Sequence, residues 1–174
     1  QAFYPGPGIG GHCIPLDPFY LEYIAKDYAF ELSMIHTAGH IDLLMPHRMT
    51  IKITSALNKH RKSINGSSIV FLGVAYKPDI NDARESPALR IMDEVTKKGG
   101  NVHFSDPLIS RIETPEGRRF DGVPFSGELL SRADCVVIAT KHSAYDYELI
   151  QGKASLIVDL QNAIAVPSET VYKL

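Results

Sequence analysis

The run Ile69-Val70-Phe71-Leu72-Gly73-Val74 decides the fold of this sequence, because it is short and apolar almost throughout. A strand covered on both faces of a parallel sheet has this continuous pattern instead of an alternating one. Strand-like and helical segments alternate after it. The further strands are predicted at 102–104, 135–139 and 156–158, and the helices at 87–99, around 129–130 and at 147–150. This rhythm predicts an α/β fold with a Rossmann-like, doubly wound parallel sheet and helices on both faces.

The first third of the chain has a different pattern. Residues 1–18 combine prolines with glycines and are predicted to form a loop. From Phe19 to about Lys62, apolar residues recur at helical spacing, and Pro46 is expected to kink or restart the helix. Asn65-Gly66-Ser67 is then predicted to be a hinge or turn. The domain prediction is therefore a loop and helical region at 1–65 and a sheet domain at 66–174.

Composition narrows the function classes. The 174 residues carry a net charge of −2, with 44% hydrophobic and 22% charged residues, as is usual for a globular protein. This charge gives no electrostatic footprint for nucleic acid, and no apolar run reaches the length of a membrane span. The two cysteines, Cys13 and Cys135, have very different sequence settings. We therefore expect no disulfide, and a reducing, cytoplasmic location.

The stretch Gly8-Ile9-Gly10-Gly11-His12-Cys13-Ile14-Pro15-Leu16-Asp17 places a thiol directly after a run of glycines. Glycines allow the backbone to approach a ligand closely. A nucleophilic thiol needs close backbone donors and a partner that handles protons, and Asp17 follows four residues later. His12 is interpreted as a packing or positioning residue, because neighbours in sequence usually point apart. Cys13 keeps two interpretations at this point, a catalytic nucleophile or a loop cysteine without a reaction.

Two further patterns are rejected as sites. Residues 6–11 formally satisfy G-x-G-x-x-G, but a dinucleotide fingerprint requires a strand before it and a helix after it. Only five residues precede it, and the predicted strand at 69–74 has a single glycine. His36 and His40 share a helical face, yet no third metal ligand is evident. No metal site is therefore predicted.

The loop that follows the first predicted strand is the second candidate site. It reads Ala75-Tyr76-Lys77-Pro78-Asp79-Ile80-Asn81-Asp82-Ala83-Arg84-Glu85-Ser86. Ligands of open α/β sheets bind at the carboxyl ends of strands. A stacking Tyr76 with the cations Lys77 and Arg84 suits a nucleotide or its phosphates. The alternative is a solvated loop whose charges pair among themselves.

Together these segments resemble the UDP-sugar 6-dehydrogenases, which include UDP-glucose and UDP-N-acetylhexosamine dehydrogenases. The runs GGHCIPLDPFYL and GVAYKPDINDARESPALRIMDE carry the resemblance, which covers essentially the whole chain as the C-terminal portion of a family member. It implies a catalytic loop, a central helix used for homodimerisation and a C-terminal UDP-binding domain. It also implies that NAD is bound mainly by an N-terminal domain outside this chain, and that the product is a precursor for polysaccharides.

The resemblance implies a four-electron oxidation of the sugar C6 alcohol. Cys13 is implied to capture the aldehyde as a thiohemiacetal, and a second hydride transfer to NAD gives a thioester that water releases as the uronate. Asp17 is implied to assist proton transfer and water activation. The residues implied to contact the UDP-sugar are Gly8, Gly10, Gly11, Tyr76 and Lys77, and Arg84 is implied on the cofactor side of the cleft.

Two departures bear on the substrate. UDP-glucose enzymes usually carry lysine before the aspartate, where this chain has Leu16, and the form GHCIPLDPFYL resembles the UDP-N-acetylglucosamine branch. Gln161 stands where many members have an arginine, which leaves the hexose undecided among UDP-N-acetylglucosamine, UDP-glucose, UDP-N-acetylmannosamine and UDP-N-acetylgalactosamine. Two other function classes stay open: a UDP-sugar-binding domain without turnover, and an unrelated cysteine hydrolase that pairs Cys13 with a histidine.

Overall fold

The computed structural model describes residues 4–174. Three helical elements come first, followed by an alternation of strands and helices. The elements are α1 (Asp17–Ala25), a 3-10 helix (Lys26–Tyr28), α2 (Ser33–Lys59), β1 (Ser68–Leu72), α3 (Pro87–Lys97), β2 (Asn101–Ser105), β3 (Arg111–Glu113), β4 (Arg119–Asp121), α4 (Gly127–Arg132), β5 (Cys135–Ile138), α5 (Tyr147–Lys153), β6 (Ile157–Asp159) and β7 (Val171–Lys173).

The helical region is interrupted at Ala29, and α2 continues through Pro46. Ala29 has a left-handed backbone (φ 52°), which ends the 3-10 helix after α1. Pro46 lies inside α2, which continues to Lys59, so the predicted restart at Pro46 is wrong. Pro46 removes one N–H donor. The helix persists because Pro46, Met49 and Ile53 are buried, and burial outweighs one missing hydrogen bond.

Five parallel strands form the main sheet in the order β2-β1-β5-β6-β7, which confirms the predicted α/β class. Side chains of alternate residues enter two separate cores. Phe71, Val137 and Val158 pack with α2 and α3 on one face. Val136 and Ile157 pack with α4 and α5 on the other. The sheet is therefore covered on both faces, which explains why its strands are continuously apolar.

Two features of the sheet region were not predicted. Strands β3 and β4 pair as an antiparallel hairpin outside the main sheet, with Ile112 opposite Phe120. Strand β7 adds a fifth parallel strand beside β6. Each of these strands has only three residues and includes charged side chains, so none gives the continuous apolar signal of β1.

The strand order defines one crevice. From β1 the chain passes through α3 to β2 on one side, and it returns through α4 to β5 on the other side of β1. Such a reversal opens a crevice at the carboxyl ends of the two central strands, where open α/β sheets bind ligands. The loop at 73–86 follows β1, and residues 139–146 follow β5. Both lie at this edge.

Within residues 4–174, no helix is both long and apolar enough to cross a lipid bilayer. The same part of the chain contains no group of three or more histidine, cysteine, aspartate or glutamate side chains arranged to hold a metal ion.

Candidate functional site

The loop at 73–86 is held against the edge of the sheet by hydrogen bonds to neighbouring strands. The Thr140 hydroxyl donates to the Ala75 carbonyl (2.6 Å), which ties the loop to the end of β5. Inside the loop, the backbone N–H of Tyr76 donates to the Asp82 carbonyl (3.0 Å). Tyr76 is half-buried and Lys77 is exposed. The loop thus presents a ring and a cation in the crevice region.

The glycine loop, residues 6–13, packs directly on the loop at 73–86. The N–H of Gly11 donates to the Arg84 carbonyl (3.1 Å). A Cβ on Gly10 would lie 2.6 Å from the Cβ of Tyr76, and Gly11 has φ +87° with the Tyr76 ring only 2.9 Å from a Cβ built there. Any larger residue at either position would push the two loops apart. The structure therefore brings Gly10, Gly11, Tyr76 and Arg84 together.

The other end of the glycine loop is fixed by α2. The carboxylate of Asp42 accepts a hydrogen bond from the N–H of Ile9 (2.7 Å). A Cβ on Gly8 would lie 3.2 Å from both Asp42 and Pro87, the first residue of α3. The loop is thus held between α2 and the start of α3. The sequence gives no signal for Asp42, because a single acidic residue on a long helix is usually a solvated one.

Cys13 lies on an exposed turn that leads into α1. Its carbonyl accepts hydrogen bonds from the N–H groups of Leu16 (3.1 Å) and Asp17 (2.8 Å). Asp17 is the first residue of α1 and is also exposed. The structure therefore places Cys13 and Asp17 in one turn, with the thiol accessible. No hydrogen bond within residues 4–174 joins this thiol to a histidine.

Cys135 has the opposite environment. It lies in β5, is fully buried and forms no disulfide. Burial raises the pKa of its thiol to about 12. Such a thiol is almost entirely protonated near neutral pH and is shielded from reagents, so Cys135 is a core residue.

Arg84 carries an exposed guanidinium that chelates the carboxylate of Asp82, at 3.0 Å from Nε and 2.6 Å from Nη2. This hydrogen bond is the main reason that the pKa of Arg84 is raised, and Tyr76 and Cys13 contribute charge effects. The same bond lowers the pKa of Asp82. The charged loop residues therefore do pair with each other in part. Even so, Arg84 lies beside the Cys13 turn, because its carbonyl accepts from the N–H of Gly11, two residues before Cys13.

Gln161 lies just after β6 at the same edge of the sheet. Its side-chain amide donates to the Ala139 carbonyl (2.8 Å), and its backbone N–H donates to Asp159 (3.0 Å). A Cβ built on Gly6 would lie 3.9 Å from the amide nitrogen of Gln161. The residue that replaces the expected arginine therefore lies between the glycine loop and the end of β5.

The comparisons with known proteins agree with this arrangement. Residues 70–166 match the UDP binding domain of the UDP-glucose/GDP-mannose dehydrogenase family, and residues 1–42 match the central domain of the same family. The chain belongs to this family. The resemblance inferred from the glycine loop and the loop at 73–86 is confirmed at the level of the family.

Among the dehydrogenase relatives, a UDP-N-acetyl-D-mannosamine dehydrogenase of Methanococcus maripaludis is 31% identical over 81% of this chain. An NDP-N-acetyl-D-galactosaminuronic acid dehydrogenase of Ralstonia nicotianae is also 31% identical over 81% of it. The solved structure of the UDP-D-ManNAc dehydrogenase from Pyrococcus horikoshii superposes on 99% of the chain, with a TM-score of 0.82 and 28% identity. The chain spans 30–31% of these two curated relatives and 40% of the solved chain.

Proposed function

We propose that this chain is the UDP-binding and nucleophile-bearing part of an NAD-dependent dehydrogenase that oxidises C6 of a UDP-N-acetylhexosamine to the uronate. The observation that carries the proposal is the close packing of the Gly10–Gly11 backbone on Tyr76 and Arg84. This contact joins the turn bearing an accessible Cys13 to the ligand-binding edge of an open α/β sheet. Membership of the UDP-glucose/GDP-mannose dehydrogenase family supports the reaction class.

The residues of this chain do not fit the whole of NAD. The G-x-G-x-x-G pattern at 6–11 is followed by the Cys13 turn and α1, and β1 is followed by a long loop instead of a glycine-rich turn into a helix. Within the part that the structure describes, Arg84 is the residue that we assign to the cofactor side. Hydride acceptance is the chemistry that NAD supplies when it is bound. This chain supplies the nucleophile and a proton acceptor for the covalent steps.

Cys13 performs the covalent step. Its thiolate adds to the C6 aldehyde carbon, the carbonyl π electrons move to oxygen, and that oxygen takes up a proton to give a thiohemiacetal. Removal of a hydride and of the hydroxyl proton then gives a thioester. Water attacks the thioester carbon, and Cys13 leaves as thiolate while the uronate forms. Asp17, in the same turn, accepts the proton of the attacking water.

The loop contacts support the binding roles that we propose. Tyr76 offers a face for the nucleotide base, and Lys77 offers a positive charge for the diphosphate. Gly8, Gly10 and Gly11 let the backbone of the Cys13 loop approach the sugar. Gln161 replaces a cation by a neutral amide whose carbonyl oxygen accepts no hydrogen bond from residues 4–174, so the sugar at this position meets a hydrogen-bonding group instead of a charge.

The hexose is proposed as N-acetylglucosamine on the strength of the GHCIPLDPFYL form. The relatives named above are a mannosamine and a galactosaminuronic acid dehydrogenase, and both concern N-acetylated sugars. Steady-state kinetics of the full-length parent with the UDP-linked N-acetylglucosamine, N-acetylmannosamine, N-acetylgalactosamine and glucose decides the question. A higher kcat/KM for any of the other three than for the first would overturn the assignment to glucosamine while leaving the C6 oxidation intact.

The nucleophile is tested in the same protein. Cys13→Ser in the full-length parent is expected to abolish uronate formation and to leave UDP-sugar binding within about twofold, because a serine hydroxyl is far harder to ionise than a thiol. Asp17→Asn is expected to slow turnover less completely. Full uronate formation by the Cys13→Ser enzyme would contradict the covalent mechanism.

The isolated chain is proposed to bind UDP-sugars without turnover, since the hydride acceptor is held elsewhere. It is also proposed to self-associate through α2, whose first half exposes Met34, Ile41 and Leu43. Sedimentation of the wild-type chain against a Leu43→Asp variant tests the second point. A homodimer that Leu43→Asp converts to monomer supports it, and a monomeric wild type contradicts it.

A further inference from the structure

His142 is a buried titratable residue that the proposed reaction does not use. It follows β5 at the ligand-binding edge, and its side chain is fully buried. Its Nε2 lies 3.1 Å from a carboxylate oxygen of Asp106, which follows β2 and whose side chain is also fully buried. On the other side of the ring, the backbone N–H of Asp79 donates to Nδ1 (3.0 Å). The imidazole therefore joins three segments.

The hydrogen bonds define the state of the ring. A backbone N–H can only donate, so Nδ1 carries no proton and the hydrogen lies on Nε2, where it is donated to Asp106. Asp106 is held as a carboxylate, because hydrogen bonds from His142 and from the N–H groups of Val74 and Leu108 together lower its pKa against the opposing effect of burial.

Asp79 is the part of the 73–86 loop that this ring holds. It has a left-handed backbone (φ 61°), which is an unfavourable conformation for a residue with a side chain. Its carboxylate accepts a hydrogen bond from the N–H of Ser143 (2.8 Å), one residue beyond His142. Two residues before Asp79 lies Lys77, and three before it lies Tyr76. The bond from Asp79 to His142 therefore fixes the loop beside the two residues proposed to contact UDP.

The groups around His142 come from every neighbouring segment. Asp79 and Asp106 provide the carboxylates, the Tyr145 ring packs edge-on at 5.7 Å, and the Tyr147 hydroxyl donates to the His142 carbonyl (2.8 Å). A purely structural role could be filled by apolar residues, because replacing both partners of a buried hydrogen bond by well-packed apolar groups can leave the stability almost unchanged. What the imidazole adds is a hydrogen-bond acceptor that fixes the position of Asp79 in the loop at 73–86.

We propose that His142 is a positioning residue for the nucleotide sugar, which holds the loop at 73–86 so that Tyr76 and Lys77 meet the UDP group. The acceptor at Nδ1 fixes Asp79, and the donor at Nε2 anchors the ring on Asp106. This inference rests on the proposed function, because it assigns a cause to the UDP affinity of the same edge.

Three substitutions at His142 separate its contact with Asp79 from its contact with Asp106. In His142→Ala both are lost, and the UDP dissociation constant is expected to rise about tenfold, the factor given by one lost hydrogen bond. In His142→Asn the amide oxygen lies near the position of Nδ1 and can accept from Asp79, so the affinity recovers to within about threefold of wild type. In His142→Gln the amide nitrogen lies near the position of Nε2, Asp79 stays unpaired, and the affinity stays low.

The measurements are titration calorimetry of the chain with UDP and urea unfolding of each variant. His103→Ala is the matched control, because His103 is an exposed histidine on β2, and it is expected to leave the affinity unchanged. Equal affinities for wild type and the His142 variants would overturn the inference, even if every variant lost stability. If His142→Ala does not fold, the Asn and Gln variants decide, and equal affinities for these two overturn it as well. A wild-type chain that fails to bind UDP overturns the proposed function and this inference with it, an outcome visible without any variant.

Discussion

The two halves of α2 differ sharply in what surrounds them. Met49, Ile53 and Leu57 in the second half are buried in the same core as the sheet. In the first half, Leu43 is 68% exposed and Met34 is 86% exposed. The second half of α2 therefore packs into the core of the sheet, and the first half extends away from that core, although the whole segment is one continuous α-helix.

Exposed apolar side chains are concentrated in the N-terminal part of the chain. Among the described residues, fifteen of the eighteen exposed large apolar side chains lie at or before Ile51. Surfaces of this kind mark protein contacts more often than they mark open solvent. The sheet and the second half of α2 therefore bury their apolar side chains within this chain, whereas the N-terminal part, with Cys13, leaves many of its apolar side chains exposed.

The two cysteines give the largest expected contrast between these parts. At pH 8, alkylation of the native chain is expected to label Cys13 first. A pKa of about 12 lowers the thiolate fraction of Cys135 about a thousandfold relative to an unfolded thiol, and burial blocks the reagent further. Peptide mapping by mass spectrometry measures both rates. In 8 M urea, the control condition, the rates become similar. Faster native labelling of Cys135 would break the comparison.

The same substitution in the two halves of α2 gives the next largest effect. Leu57→Ala is expected to lower the free energy of unfolding by about 2–5 kcal/mol, because it leaves a cavity in the core. In the monomeric chain, at protein concentrations too low for self-association, Leu43→Ala is expected to change it by less than about 0.5 kcal/mol, because Leu43 is exposed there. Urea unfolding followed by circular dichroism measures both. Similar costs at the two positions would mean that the first half of α2 is packed in solution, and they would remove the distinction.

The long apolar strands of the sheet can be predicted from the sequence well, and the short strands less well. The strands near 69–74 and 135–139 were predicted because each is continuously apolar, and the strand near 102–104 was predicted between the glycines that end α3 and Asp106-Pro107. The α3 start at Ser86-Pro87 was predicted from its capping pattern, and it is confirmed. The strand β7 and the hairpin of β3 and β4 were missed, because three-residue strands with charged side chains are stabilised by tertiary contacts. The division at 65/66 stays a prediction.

The residues of the candidate site also divide into those that the sequence indicates and those that it does not. Cys13 and the glycines could be identified because their residue types and spacing are unusual, and the structure brings Gly10 and Gly11 onto Tyr76. Asp42 and His142 could not, because their roles depend on partners 33 and 63 residues away along the chain. A lone acid on a helix or a lone histidine after a strand has no local pattern. These two residues meet their hydrogen-bond partners only when the chain folds.

Ligand stabilisation gives an effect of intermediate size. UDP at about a hundred times its dissociation constant is expected to add about 2.7 kcal/mol to the stability of this chain, whereas NAD alone adds none that can be detected. Thermal unfolding with each ligand is the measurement, and inorganic phosphate serves as the control for a simple anion effect. Stabilisation by NAD without stabilisation by UDP would reverse the assignment of the sheet edge.

The smallest effect concerns the junction between the two parts. Lys62, just after α2, pairs with Asp134, just before β5, and this hydrogen bond, followed by one from the Ser68 N–H, lowers the pKa of Asp134. A lowered pKa stabilises the fold above the unfolded value of about 3.9, and this stability is lost as the pH falls through the folded value. Asp134→Asn is expected to cost up to about 1 kcal/mol at pH 7, because the pair is partly exposed.

Urea unfolding of both proteins between pH 7 and pH 2.5 measures this effect. The difference between the two curves of stability against pH is expected to shrink as the pH falls through the lowered pKa of Asp134. A constant difference across the whole range would show that the substitution acts through packing and not through the charge.

The central claim is that UDP binds where the Cys13 loop meets the end of β1. Hydrogen exchange of the chain, measured by mass spectrometry with and without saturating UDP, tests it most directly. The account predicts slower exchange in peptides from the loop at 73–86, from 139–146 and from the glycine loop at 6–13, with little change in the first half of α2. Protection confined to residues 33–44, or no protection at 73–86 despite bound UDP, would contradict it.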